Sequence, residues 1–331
     1  MSIARFRIGA RTRRPTAAFA AAVSLALACA LPGQAVAVRA NGKEPTAARE
    51  AHLPGMACPL GATAGDYLKP LGGSLQRMDR AAVLAEQSTR PVVLLGERHD
   101  SAEDHRWQLH TIAQLHALRP HLVLGFEMFP RRLQAVLDRW VAGELGETDF
   151  LQQVEWNKVW GHAAGPYLAI FHYARMNRIP MLALNVDRSV VSAVARRGGE
   201  ALSEAEREGV GSPAPPSEGY RHLLRTVYDA HPPMPAAPAG FERFVAAQVF
   251  WDRAMAERIA ESRRVRPEAL VVGVMGVGHV RFGYGVAHQL SALGIAPTGL
   301  LHTLELPDDC RVSLTGSADA LYVLQKNAEK N

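Results

Sequence analysis

The chain has 331 residues, 48% of them hydrophobic, with 37 Lys and Arg against 32 Asp and Glu. Five of the arginines (Arg5, Arg7, Arg11, Arg13 and Arg14) fall within the first 37 residues, which carry no acid, so the remainder holds 32 of each sign. That balance excludes a global positive field for nucleic acid or an anionic membrane, while the length suffices for one large domain with a full core.

Residues 1–37 read as a secretory signal: the basic head, an Ala- and Leu-rich stretch from Ala17 to Leu31, and the small-x-small cleavage site Ala35-Val36-Ala37. Cys29 after Leu27-Ala28 offers a lipoprotein cysteine, although Ala26 stands where a larger aliphatic residue is usual. The expected location is the periplasm, either free or lipid-anchored to the envelope. Residues 38–73 read as an extended leader and 74–331 as a single α/β domain. Cys58 and Cys310 remain after cleavage; export permits a bridge between them and equally permits two free thiols.

The spacing of Leu75, Met78, Val83 and Leu84 predicts a helix over Ser74–Ser88. A buried strand follows at Pro91–Gly96, with Glu97 and His99 at its carboxyl end. Ser101 caps a helix to Leu118, stopped by Arg119-Pro120. Leu122–Phe126 is a second strand ending at Glu127, and a helix runs from Arg131 to Val141. A helical segment near Asp149–Trp156 leads into an aromatic loop, Trp156 to Tyr167, and then a helix to Arg178. Met181–Asn185 is the third strand, followed by a helix over Arg188–Arg197. Residues 211–240 hold seven prolines around a short helix at Tyr220–Tyr228 and read as an insertion or lid. A long helix, Phe241 to Arg264, precedes the strand Leu270–Met275, which ends in Gly276-Val277-Gly278-His279. A helix over Tyr284–Leu293 and strands at Thr298–Leu306 and Ala320–Leu324 complete the chain. Strands alternating with helices predict an α/β fold: a mostly parallel sheet flanked by helices on both faces, with the Pro-rich helical insertion.

Two Gly-x-x-His elements therefore follow strands, at Gly96–His99 and Gly276–His279. Open α/β sheets bind ligands at the carboxyl ends of their strands. Glu97, His99, Glu127 and His279 could converge there, and two imidazoles with two carboxylates suit a divalent transition metal such as Mn, Co or Zn. The plainer account is that Glu97 pairs with Arg98 and His279 bonds the backbone. Trp160, His162, Tyr167 and Tyr173 supply the aromatics and a Tyr or His ligand that a haem pocket requires, and equally serve to staple a loop. No Gly-x-Ser-x-Gly elbow occurs, which argues against a serine hydrolase, and no Cys-x-x-Cys-His occurs, which excludes covalent c-type haem.

Taken in order, Gly96-Glu97-Arg98-His99-Asp100, Phe126-Glu127-Met128-Phe129, Pro180–Asn185 and Gly276-Val277-Gly278-His279-Val280 resemble the ChaN family, the haem-binding uptake branch of the Tiki superfamily, over roughly residues 75–325. The resemblance implies an exported, often lipid-anchored, haem-binding protein of iron acquisition. Haem would be held between two protomers, with contact to the membrane only through an anchor or an uptake receptor. It also implies a tyrosine ligand to haem; Tyr167 is the first choice and Tyr173 the second, with Trp160 and His162 beside them. The wider superfamily contains metal-dependent proteases and hydrolases built on Gly-x-x-His elements. Under that alternative Glu97, His99, Glu127 and His279 would be both the metal ligands and the catalytic groups. Whether the chain is an enzyme stays open at this point.

Overall fold

The computed structural model describes residues 61–230, 240–306 and 314–324. The signal over 1–37 with Cys29, most of the leader, Cys58, Cys310 and the prolines from Pro232 to Pro238 lie outside them.

The chain begins with a hairpin, β1 (Tyr67–Leu71) and β2 (Ser74–Met78). The expected helix over Ser74–Ser88 is thus divided. Its first part is strand, and α1 spans only Arg80–Ser88. The divider is Asp79, whose carboxylate accepts a bond from the Ala82 N–H at 2.8 Å and so caps α1. Tyr67–Leu71, inside the segment read as leader, is part of the main sheet.

The elements then alternate. β3 (Val92–Glu97) is followed by α2 (Ala102–Leu118), β4 (Leu122–Pro130), α3 (Gln134–Val141), α4 (Glu147–Gln153), α5 (Trp156–Val159) and α6 (Gly165–Met176). β5 (Met181–Asn185), α7 (Arg188–Arg197), α8 (Glu218–Asp229) and α9 (Gly240–Val265) come next. β6 (Leu270–Gly276), α10 (Val286–Ala292), β7 (Thr298–Leu304) and β8 (Ala320–Val323) close the described chain. No helix among the described residues is long and apolar enough to cross a membrane.

The eight strands lie in one sheet in the order β2-β1-β8-β7-β3-β6-β4-β5. From β8 to β5 every pairing is parallel; β1 alone runs the other way, antiparallel to both β2 and β8. Parallel strands need helices on both faces, which is why β3 and β6 are apolar at nearly every position and buried throughout. Val93, Leu95, Leu124 and Val272 face a core built with α1, α2, α3 and α6. Val92, Leu94, Val123 and Val271 face a second core with α7, α9 and α10.

Two connections position the site. After β3 the chain crosses the first face as α2 and reaches β4; after β6 it crosses the second face as α10 and reaches β7. The chain thus departs in opposite directions from two adjacent strands, leaving a crevice at their carboxyl ends. Gly96 does not end β3, as the sequence reading has it; the strand continues to Glu97. The glycine is needed because a methyl there would stand 3.1 Å from the Val277 Cα on the neighbouring strand's exit.

Candidate functional site

Glu97 ends β3, and Gly276 pairs with it at the end of β6. Around these two positions the structure gathers Glu97, His99, Glu127 and His279. It does so as two carboxylate–imidazole pairs on either side of Glu127.

The first pair is Glu97 and His99. Glu97 is buried, and its Oε1 accepts bonds from His99 Nδ1 at 2.9 Å and from the Tyr167 hydroxyl at 2.7 Å. Its Oε2 accepts from Gln108 Nε2 at 2.8 Å and lies 3.5 Å from His105 Nδ1. Gln108 and His105 project from adjoining turns of α2 and Tyr167 from α6. Burial works against the charge on Glu97, but the His99 bond, the nearby His105 and His99 charges and the Tyr167 bond outweigh it and hold the carboxyl below its ordinary value. His99 responds in the opposite sense: burial depresses it, while the Glu97 bond and the Glu127 charge raise it overall.

The second pair comes from further apart. His279 Nδ1 faces Asp252 Oδ1 at 2.6 Å, and Asp252 Oδ2 accepts a bond from the Tyr220 hydroxyl at 2.7 Å. The far ring nitrogen, Nε2, is 3.4 Å from Glu127 Oε1. Glu127 Oε2 accepts the Gly276 N–H at 2.6 Å. Burial would depress His279, yet the charges of Glu127 and Asp252 raise it to about 10, so it is a cation at neutral pH. Burial likewise opposes the charge on Glu127, but the His279 charge and bond, with His99 and the Gly276 N–H, bring it down to about 2.

Gly276 lets the pairs approach. A methyl there would stand 2.9 Å from His99 Cε1, 3.0 Å from His99 Nε2 and 3.5 Å from Glu127 Oε2. Gly285 does the same behind His279, where a methyl would meet Asp252 Oδ1 at 2.8 Å and the His279 carbonyl at 2.6 Å.

The expected metal set is not formed by these contacts. Among the described residues no group of three or more His, Cys, Asp or Glu side chains is disposed to hold a metal ion. The physical reason is that the donors are turned toward one another. Both oxygens of Glu97 are engaged away from Glu127, and the two nitrogens of His279 are shared between Asp252 and Glu127. Four residues suited to a metal are instead engaged with neighbours, His99 with Glu97 and His279 with Asp252 and Glu127.

Of the aromatic residues, three meet at the mouth of the crevice and one does not. Trp160 packs edge-on to His99 with ring centroids 4.7 Å apart, and its Nε1 donates to the Tyr167 hydroxyl at 3.1 Å. His162 is half-buried, 5.1 Å from the His99 ring and 5.5 Å from that of Trp160. Burial, then the charges of His99 and Arg188, hold His162 below the ordinary imidazole value. Tyr167 is fully buried with its hydroxyl committed to Glu97, which places it beneath the mouth as a support. Burial and the Glu97 charge push its phenol far above the ordinary value. Tyr173 bonds His116 Nδ1 at 3.0 Å, eleven residues beyond His105 along α2, or about 16 Å at the helix rise.

Beside the mouth lies a cavity of about 210 Å³, lined by Met128, Trp160, Asn185, Arg188 and Trp251 among others. A larger groove of about 830 Å³ follows α9 past Arg131, Glu257 and Arg264 to Pro91 and Ala296, at the amino ends of β3 and β7. It touches none of the groups described above. Sequence reasoning passes over Asp252, Tyr220 and Trp251. Asp252 had a signal: it interrupts the apolar face of a long helix, flanked by Val245, Val249 and Ile259.

Fold and site together define a class: a mixed, largely parallel α/β sheet with paired acid–histidine groups at a crevice between its two central strands. Within that class, the family model described as haem-binding uptake, Tiki superfamily, ChaN matches residues 83–290, and the chain belongs to that family. A solved structure of ChaN from Campylobacter jejuni, described as binding haem cofacially, superposes with a TM-score of 0.59 at 14% identity. The match covers 82% of this chain and 99% of that one, and supports the fold. Weaker likenesses include an erythromycin esterase mutant (TM-score 0.42, 12% identity, covering 68% of this chain and 73% of that one) and the C-terminal region of the Pasteurella multocida toxin (0.38, 11%, 62% and 21%). No curated protein matches the chain in sequence.

Proposed function

We propose that this chain binds haem over the mouth of the crevice, as an exported protein serving iron uptake. Family membership motivates the reading, and one observation carries its location. His162 is half-buried and among the described residues makes no hydrogen bond through its ring, while Trp160 stands beside it. An imidazole is a common ligand to haem iron, and an indole beside it offers a face on which the porphyrin can stack. Haem would supply the iron; the chain's own contribution is to present His162, stack Trp160 and place the Arg188 charge nearby. Tyr167 supports this surface from below and leaves the ligand role to His162.

The cavity is smaller than the roughly 300–1,000 Å³ that encloses a drug-sized ligand. Haem would therefore lie across the mouth with much of one face uncovered, and a second copy of the chain would cover it. Titrating haemin into the mature protein while recording the Soret band tests the reading. Wild type and Tyr167→Phe should both give a saturable shift and His162→Ala should not; no shift with wild type would sink the proposal. Sedimentation with and without haemin tests the dimer, and fractionation of expressing cells tests export.

A second reading rests on the alternation of charge through Glu97, His99, Glu127, His279 and Asp252. His99 is the member of this chain that solvent reaches, with 14% of its side chain exposed, and its Nδ1 is held by Glu97. That arrangement suits proton transfer to and from a bound ester or amide without a metal. Hydrolysis of a panel of chromogenic esters and peptides, abolished by His99→Ala, would support it; equal background rates for both proteins would dispose of it.

A further inference from the structure

The two sides of the crevice repeat one arrangement. On each, an imidazole Nδ1 faces a buried carboxylate that also accepts a tyrosine hydroxyl: Tyr167, Glu97 and His99 on one side, Tyr220, Asp252 and His279 on the other. Glu127 stands between them, and its charge acts on both rings. The likeness comes from no shared sequence motif. α6 and β3 build the first set, whereas α8, α9 and the turn after β6 build the second. The proton-transfer reading above uses every charged member of the two sets and gives Tyr220 no part.

Asp252 is fully buried, and among the described residues its donors are the His279 ring at 2.6 Å and the Tyr220 hydroxyl at 2.7 Å. A carboxylate rotates easily about its last side-chain bond, so two free oxygens could serve one ring N–H in either orientation. The hydroxyl removes that freedom. It occupies Oδ2 and leaves Oδ1 for the imidazole, whose Nε2 then points at Glu127. The seat of α8 is built to deliver this contact. Ser217 caps the helix by accepting the Tyr220 N–H at 3.1 Å, and Leu224 packs with Phe241, Val245 and Val249 of α9. Gly219 allows the close approach, since a methyl there would stand 2.5 Å from the Tyr284 hydroxyl oxygen. Tyr228, two turns further along α8, turns its ring to Phe241 and Phe244 instead.

We infer that Tyr220 is a positioning residue of this site: acting through Asp252, it fixes the His279 ring against Glu127, so that α8, inside the Pro-rich segment, belongs to the working site. Its consequence for turnover rests on the metal-free proton-transfer reading above. The first test needs no substrate. A short bond between an imidazole N–H and a carboxylate gives a far-downfield, slowly exchanging proton. Wild type labelled with ¹⁵N-histidine should show one for His279 Nδ1, assigned among the 13 histidines by its loss in Asp252→Asn. Its absence from wild type overturns the fixed ring, whatever the variants do. Tyr220→Phe keeps the aromatic ring, so ring-current effects stay the same, and it should displace this resonance. Tyr228→Phe makes the same chemical change on the same helix and should leave the resonance in place. An unmoved resonance in Tyr220→Phe, or an equal displacement in Tyr228→Phe, overturns the inference and reduces Tyr220 to packing. The second test is turnover of whichever chromogenic ester the wild type hydrolyses. Tyr220→Phe should lower kcat about tenfold at unchanged KM, the scale of one hydrogen bond to a charged group, while Tyr228→Phe keeps the wild-type rate. An unchanged kcat overturns the link to the reaction. If the wild type hydrolyses none of the panel, the proton-transfer reading fails, and the Nδ1 resonance alone decides whether Tyr220 positions His279.

Discussion

Tyr167→Phe separates support from ligation. The hydroxyl donates to Glu97 Oε1 at 2.7 Å and accepts from Trp160 Nε1 at 3.1 Å. A bond to a charged acceptor contributes about 1.5–3 kcal/mol, and a stranded buried N–H costs about 1–3 kcal/mol. Glu97 keeps His99 and Gln108, which places the total in the lower half of the sum, about 2.5–4 kcal/mol. The ring itself stays, packed on Phe171, Trp156 and His105, so no cavity adds to the loss. For a domain of this size each kcal/mol lowers Tm by about 2–4 °C, which gives a fall of roughly 5–15 °C. Thermal unfolding followed by far-UV circular dichroism measures it, and a haemin titration below the new Tm should give the wild-type Soret shift. Two results would refute the reasoning: a Tm equal to wild type, or a lost Soret shift at unchanged stability. The second would return the ligand role to Tyr167.

Three further outcomes are expected. Gly276→Ala sets a methyl against the His99 ring and should destabilise by about 1–3 kcal/mol, with His99 displaced from Glu97 in the variant's structure; an undisturbed His99 would contradict the close packing. Gly285→Ala meets a backbone carbonyl, which cannot swing aside as a side-chain tip can, so urea unfolding should show a loss at least as large as that of Gly276→Ala. Stability should also depend on pH in two directions. His279 is raised from 6.5 to about 10, so its contribution is complete below pH 6.5 and fades as pH rises through 10; Glu127 is lowered from 4.5 to about 2, so its contribution is complete above pH 4.5 and fades as pH falls through 2. Asp252→Asn should move the alkaline decline to lower pH in urea titrations, and an unmoved decline would mean that Glu127 alone holds the His279 cation.

The central strands were legible because a parallel sheet covered on both faces writes itself as apolar runs, as in Val92–Leu95 and Leu270–Val274. Ser74–Met78 was not, since Leu75, Met78, Val83 and Leu84 mimic a helical stripe across a boundary that only Asp79 marks. The convergence of Glu97, His99, Glu127 and His279 on one crevice could be anticipated from their places at strand ends. Their pairing could not. Residue types show what a group can bind, whereas partners are chosen by helices distant in sequence: α9 brings Asp252 to His279, and α6 brings Tyr167 to Glu97. The same limit applies to Tyr167 itself, an aromatic in a suggestive loop whose burial depends on packing against α2.

The sheet order has a consequence for the time at which the crevice comes into being. β3 pairs with β6 and β7, so Val92 is held between Val271 and Thr298, and no earlier strand touches it. Glu97 and Glu127 are synthesised long before Gly276 and His279, yet neither half of the crevice has a wall until the last third of the chain arrives. Contacts of such separation close slowly, after local helices have formed. A ligand held at this mouth would therefore engage only a chain whose two ends have met, and its capture would report that folding is complete.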